Sequence, residues 1–225
     1  MPRTQRVRRQ ALVQVLLARR VVPLTDAETL WGTIASKVPD EPAETLADAL
    51  TALNSDLTQI GLEARTVRDQ ASGDALVVLA NTRGDAIAEG ATAYTGAELA
   101  YVRALVDALG APDAFSISTT DALSLSTTPP LSKRAASDLL RNLVQRGWIA
   151  ERQGKYVLAP RALCELDAYL RSDENALECG SCYELVTIGE RCTGEGCRGA
   201  LHTVCSRDTC AACGQAWHGT PVGPS

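Results

Sequence analysis

The sequence predicts an α+β chain in three parts: two helical units that each close in a β-hairpin, then a short module held together by metal. Three observations carry this. Apolar residues recur at three- and four-residue steps in separate blocks. Each series of blocks ends in two short strand-like runs around a glycine-containing turn. Seven of the eight cysteines fall between Cys179 and Cys213.

Arg3, Arg6, Arg8 and Arg9 precede an apolar run, Ala11 to Ala18, which in outline imitates a targeting segment. Gln14 interrupts the run, Arg19 and Arg20 stop it, and it lacks a small-residue cleavage site. An amphipathic helix over roughly Thr4 to Ala18 is expected instead, with Val7, Leu12, Val15 and Leu16 near one face. After a turn at Val22-Pro23, Thr25 and Glu28 have the spacing of a capping box for a short helix to about Ser36. Pro39 and Pro42 punctuate the next turn. Leu46, Leu50, Leu53, Leu57 and Ile60 then mark a third helix, and Leu62 to Arg68 and Ala75 to Leu79 form a hairpin around Ser72-Gly73. Three helices followed by a hairpin make a winged-helix pattern, assigned to residues 1–90. Asn81 to Thr95, rich in Gly, Ala and Thr, reads as the linker.

The pattern then repeats over residues 91–174. Thr95 and Glu98 form a capping box before Leu99, Val102, Leu105, Val106 and Leu109. Phe115 to Ser118 reads as a short strand, Asp121 to Leu125 as a brief helix and Thr127 to Pro130 as a turn. Ser132 caps a helix carrying Ala136, Leu139, Leu140, Leu143 and Val144, and Gly147 sits where a left-handed residue commonly ends one. Trp148 to Glu151 and Lys155 to Leu158 form the second hairpin. Pro160 opens a helix to about Arg171, since a first-turn proline forgoes no needed N–H. Trp31 and Trp148 read as core or interface anchors.

The cysteine-rich part, residues 175–219, has its ligand-type residues in the order Cys179, Cys182, Cys192, Cys197, His202, Cys205, Cys210, Cys213. Zinc takes thiolate and imidazole ligands in fours, so eight such residues complete two Zn2+ shells. A disulfide framework would leave one of the seven cysteines unpaired and His202 without a role. Cys164 reads as a small buried apolar residue, Trp217 as packing over the zinc loops, His218 as an exposed neighbour, and residues 220–225 as a flexible tail. The segment is too short and polar to build a core, so metal must hold it.

A net charge of −5, from 22 Lys and Arg against 27 Asp and Glu, excludes a surface wholly committed to phosphate backbones. No stretch approaches the roughly 20 apolar residues of a membrane helix. Lys133, Arg134, Arg141 and Arg146 lie on the helix that enters the major groove in DNA-binding winged helices, and weak DNA contact is one reading of them, above all of the first three. A solvated face interleaved with Asp138 is the preferred one. No glycine-rich phosphate loop, paired carboxylates or catalytic Ser/His pattern stands out.

The run Ser137-Asp138-Leu139-Leu140-Arg141-Asn142-Leu143-Val144-Gln145-Arg146-Gly147-Trp148-Ile149-Ala150, with Gly154-Lys155-Tyr156 and Pro160-Arg161-Ala162-Leu163-Cys164-Glu165-Leu166, resembles the second winged helix of the non-SMC element one family. The four-cysteine, one-histidine, three-cysteine order after it resembles that family's C-terminal RING-like (C4HC3) module. The resemblance is strongest over Ser132 to Trp217. It implies a nuclear, chromatin-associated subunit of the SMC five/six chromosome-maintenance and DNA-repair complex, pairing with the MAGE-type non-SMC element three subunit near the kleisin, non-SMC element four. It also implies a RING-type ubiquitin ligase that docks a ubiquitin-conjugating enzyme, with Cys179, Cys182, His202 and Cys205 on one zinc and Cys192, Cys197, Cys210 and Cys213 on the other.

The sequence departs from an ordinary RING between Cys205 and Cys210. Five steps of chain reach at most about 17 Å, too short for the central helix that carries much of the enzyme-docking surface. A non-catalytic interaction module is therefore the first alternative and a winged-helix DNA-binding protein the second. The same ligand order occurs in PHD fingers, but their longer interval and aromatic residue before the last cysteine pair are missing here.

Overall fold

The computed structural model of the chain describes residues 3–39, 43–83, 94–111, 114–125 and 127–224. It is a mixed α and β chain that divides into two compact units, Met1–Asp69 with Asp74–Gly84, and Gln70–Gly73 with Asp85–Ser225.

In the first unit α1 (Arg3–Arg19) buries Leu12 and Leu16, whereas Val7, expected near the same face, is exposed. The helix also buries Arg8, whose Nε donates to the Val38 carbonyl at 2.5 Å and whose Nη2 donates to that of Ala35 at 3.4 Å. Both carbonyls belong to the end of α2 (Leu24–Lys37), where a helix leaves acceptors unpaired and its dipole favours a cation. The capping box expected at Thr25 does not form. The N-cap is Pro23, and Thr25 sits inside the first turn, its carbonyl accepting from the Thr29 hydroxyl at 2.8 Å. Val22-Pro23, expected as a turn, lies in strand β1 (Val21–Pro23), because Val22 is buried and pairs with Val77.

α3 (Leu46–Leu57) starts from a capping box between Thr45 and Asp48 and buries Leu46, Ala49, Leu50, Leu53 and Leu57. Asn54 clamps the following strand, donating to the Ala64 carbonyl at 2.9 Å and accepting its N–H at 2.8 Å. β2 (Leu62–Arg68) and β3 (Ala75–Asn81) pair over their whole length in an antiparallel sheet of order β1-β3-β2. Leu76 to Ala80 of the central strand are all buried, which is why β3 reads as an unbroken apolar run. Pro42 and most of the expected linker lie outside the described residues.

In the second unit α4 (Gly96–Gly110) begins at the expected Thr95 and Glu98 capping box. Phe115 is not in a strand. It has a left-handed φ of 42° and is buried, while β4 is confined to Ile117–Ser118. α5 (Thr119–Ala122) and α6 (Lys133–Gln145) are capped by Ser118 and Ser132. Gly147 takes the left-handed conformation, φ 71°, behind α6. β5 (Ile149–Arg152) and β6 (Lys155–Leu158) complete an antiparallel sheet of order β4-β6-β5. Tyr101, Leu105, Leu109, Leu139, Leu140, Leu143, Ile149 and Leu158 form its core. Trp148 is partly buried beneath the Arg161 guanidinium, 4.6 Å from the ring centroid. The helix expected from Pro160 to Arg171 breaks at Leu166, φ −101° and ψ 8°, into α7 (Pro160–Glu165) and α8 (Asp167–Arg171).

The rest of this unit is built on a third sheet, of order β8-β7-β9: β7 (Gly189–Cys192), β8 (Ala200–Leu201) and β9 (Gly219–Val222). β9 takes up the start of the expected 220–225 tail, because Val222 is buried and pairs with Gly189. Among the described residues no helix is long and apolar enough to cross a membrane.

Candidate metal centre

The third sheet carries two groups of ligand atoms. Cys179, Cys182, His202 and Cys205 form one, and Cys192, Cys197, Cys210 and Cys213 the other, with the atoms of each group within 4.8 Å of one another. Each group draws on two separate chain segments, and the segments alternate along the sequence. β7 ends on Cys192 and β8 leads directly into His202, so one sheet positions a ligand for each group.

Tight backbone turns aim the remaining sulfurs. Gly180 N donates to the Ala200 carbonyl, and Tyr183 N to that of Cys179, both at 2.9 Å, with Tyr183 left-handed at φ 64°. In the second group Gly194 N and Gly199 N donate to the Cys192 and Cys197 sulfurs at 3.4 and 3.3 Å, bonds that favour thiolates. Gly199 is required by space: a Cβ there would lie 2.4 Å from the Cys210 sulfur. Gly199→Ala is therefore expected to cost the second group its metal while leaving the first group loaded. Native mass spectrometry of the variant checks this, and retention of the full metal complement would refute it.

The distances fit a tetrahedral ion. Sulfurs about 2.3 Å from zinc stand roughly 3.8 Å apart, and Cys192 to Cys213 is 3.8 Å and Cys197 to Cys210 is 3.6 Å. A disulfide needs about 2.05 Å, and none of the cysteines is bridged. His202 presents Nδ1 to the Cys182 and Cys205 sulfurs at 3.3 and 3.9 Å, leaving Nε2 to donate to the Leu185 carbonyl at 3.0 Å. Each group could hold one metal ion.

The electrostatics also call for a cation. Burial, then the charges of Cys179 and Cys182, push the Cys205 thiol up to about 12. The Gly199 N–H favours the Cys197 thiolate, but burial and the Cys210, Cys213 and Cys192 sulfurs outweigh it and hold that thiol at about 12. Burial opposes ionisation of Cys210, yet N–H groups of Cys213 and Ala212 and the Cys197 and Cys213 thiols bring it down to about 7. Cys210 therefore ionises readily while Cys197 and Cys192 resist. A divalent ion removes the conflict. Burial lowers His202 below its usual range, which keeps it neutral and able to bind metal.

Around the groups, Trp217 packs against an apolar cluster of Leu177, Val186, Leu201 and Val222, and its Nε1 donates to Glu190 at 3.0 Å. Phe115 joins that cluster, a contact no local sequence signal indicated. His218 is exposed and outside both groups, and Cys164 is half-buried rather than fully buried. Lys133, Arg134 and Arg141 are exposed on α6, and Arg141 is paired with Asp138 at 2.9 Å.

Comparison with known proteins adds an independent result. A family model described as the Nse1 non-SMC component of the SMC5-6 complex matches residues 9–129 and 117–166. Non-structural maintenance of chromosomes element 1 of Schizosaccharomyces pombe is 27% identical over 187 residues, covering 79% of this chain and 79% of that protein. The Homo sapiens homologue is 26% identical over 220 residues, covering 91% of this chain and 82% of its own. A chain of a solved Nse1-Nse3-Nse4 complex superposes with a TM-score of 0.80 at 22% identity, over 93% of this chain and 96% of that one, a likeness of fold.

Proposed function

Because the chain belongs to the Nse1 family, non-SMC element 1 of the SMC5-6 complex, we propose that it is a zinc-stabilised scaffold subunit and a RING-type ubiquitin ligase. Residues 1–90 and 91–174 act as tandem winged helices. Residues from 175 onward form the RING-like module, with Cys179, Cys182, His202 and Cys205 holding one Zn2+ and Cys192, Cys197, Cys210 and Cys213 the other. Its partners are an Nse3-type subunit and an Nse4-type kleisin, by analogy with the complex whose fold it shares. It works at chromosomes in the nucleus.

The alternation of the two ligand groups along the chain is the observation that carries this reading. Bound zinc supplies rigidity, not reacting groups, because four protein ligands close each shell. The chain contributes no covalent group. It holds a conjugating enzyme so that a substrate lysine nitrogen attacks the ubiquitin thioester: the C–N bond forms, the C–S bond breaks, and the thiol departs on the enzyme. Positioning of this kind is a catalytic contribution in itself. Tyr183, 65% exposed beside Cys182, and Val204, 43% exposed beside Cys205, offer apolar contacts near the first group.

A second reading, a non-catalytic interaction module, is favoured by the stretch between Cys205 and Cys210, which contains no helix. Autoubiquitination with a panel of conjugating enzymes, with and without the Nse3-type partner, separates the two. Transfer that needs the partner and disappears in Cys179→Ser supports the ligase. No transfer from a zinc-loaded, partner-bound chain leaves the scaffold alone. Direct DNA contact would run through the exposed Lys133, Arg134 and Arg141, the last of them paired with Asp138. A binding assay across a salt series tests it, since phosphate contacts give a steep slope.

A further inference from the structure

We infer that Gln70 is a positioning residue for the Cys179, Cys182, His202 and Cys205 group, acting through the Leu185 carbonyl that orients the His202 imidazole. This rests on the reading of that group as a zinc site. Gln70 lies far from the ligands in sequence, in the turn between β2 and β3, yet residues 70–73 belong to the same compact unit as the metal groups. Its side-chain Nε2 donates to the Leu185 carbonyl at 2.7 Å. Its Oε1 accepts from Thr187 N and Ile188 N, each at 2.9 Å, and from the Thr187 hydroxyl at 3.2 Å. One amide thus holds the 185–188 loop from both sides.

The Leu185 carbonyl has two lone pairs. One faces Gln70 and the other faces His202 Nε2 at 3.0 Å. That second bond fixes which imidazole nitrogen keeps its proton and how the ring turns its Nδ1 toward the Cys182 and Cys205 sulfurs. Partners of this kind typically alter metal affinity about 10–100-fold when removed, although they touch no metal. The loop has little freedom to compensate. A Cβ on Gly189 would meet the Leu201 carbonyl at 2.2 Å and His202 Cα at 3.0 Å, and one on Gly223, φ +77°, would meet the Thr187 carbonyl at 2.1 Å. The loop is pressed between two backbones, and Gln70 closes its remaining side.

Two variants separate positioning from simple support. Gln70→Leu removes every bond of the amide. Gln70→Glu keeps acceptors for Thr187 N and Ile188 N but presents an oxygen, not a donor, to the Leu185 carbonyl. Metal analysis of the unmodified chain comes first, and an empty first group would overturn the zinc reading and this inference together. With zinc present, release to a chromogenic chelator is followed in both variants, each also made in a Cys210→Ser chain that holds only the first ion and compared with that chain alone. Both variants are expected to release the ion of the first group about 10–100-fold faster, with the second ion released no faster than from a chain whose first group is already empty. In the 15N-histidine-labelled protein, which has two histidines, the His202 Nε2–H would exchange faster with solvent. Wild-type release and exchange in Gln70→Glu, or equal acceleration of both ions in Gln70→Leu, would overturn the inference and leave the zinc reading intact.

Discussion

Stripping both metal ions with a strong chelator is expected to unfold residues 177–222 while the helices on α1 to α3 and α4 to α8 persist. The module's apolar cluster consists of Leu177, Val186, Ala200, Leu201 and Val222 with Cys179, and it borrows Phe115 from outside the segment. Full burial of a Leu or Val contributes about 1.5–3 kcal/mol, whereas ordering each backbone residue costs about 1–2 kcal/mol. A few side chains cannot order a segment of this length. In comparable modules the binding free energy of structural zinc is itself the folding free energy. Hydrogen exchange with mass readout should show protection lost in β7, β8 and β9 and kept in α3 and α6. Protection retained in the metal-free strands would show that packing alone suffices. The loss should also deepen as pH falls, because thiols must give up their protons to bind the metal. Acid therefore favours the metal-free, unfolded module and alkali the loaded one.

What the sequence disclosed and what it hid follow from how local each signal is. The capping residues Thr95 and Ser132, the left-handed Gly147 and the leucine spacing of α3 and α6 act over one or two turns of chain, and the structure keeps them all. Thr25 has the right spacing for a capping box, but the pairing of β1 with β3 brings the chain to Pro23 already extended, and the helix starts there. β1 and β9 were illegible because a three- or four-residue strand is defined by its partner, Leu76 to Val78 for one and Gly189 to Cys192 for the other. The ligand order stood out because thiols and imidazole at those intervals have few other uses, and the Cβ-free space at Gly199 could have been suspected from its place between Cys197 and His202. Gln70 and Phe115 could not. Each meets the metal-bearing part through contacts that no periodicity marks. The family resemblance was sharpest from Ser132 onward, yet the family model spans residues 9–166. The first ninety residues carry it in spaced apolar positions, without a compact motif.

Paired ligand substitutions should reveal the interleaving directly. Cys192→Ser or Cys210→Ser alone is expected to remove one ion, and the double variant Cys192→Ser with Cys210→Ser to remove no more, because both sulfurs belong to one group. Cys205→Ser with Cys210→Ser should remove both ions, although these residues are near neighbours in sequence. If the ligands were instead used in chain order, with Cys179, Cys182, Cys192 and Cys197 on one ion, the outcomes would exchange: the first pair would lose both ions and the second pair only one. Native mass spectrometry counts the ions in each variant. The interleaved arrangement has a further consequence for stability. Each group ties together segments that flank a segment of the other, so removing one ion frees an end of the loop that the second must hold. Loss of either ion should therefore speed release of the remaining one, and the coupling should disappear if the two sites were separate, consecutive knuckles. An interaction of this kind is read as non-additivity between substitutions that share no ligand shell, and it would identify the rigid unit as the pair of sites and not either one.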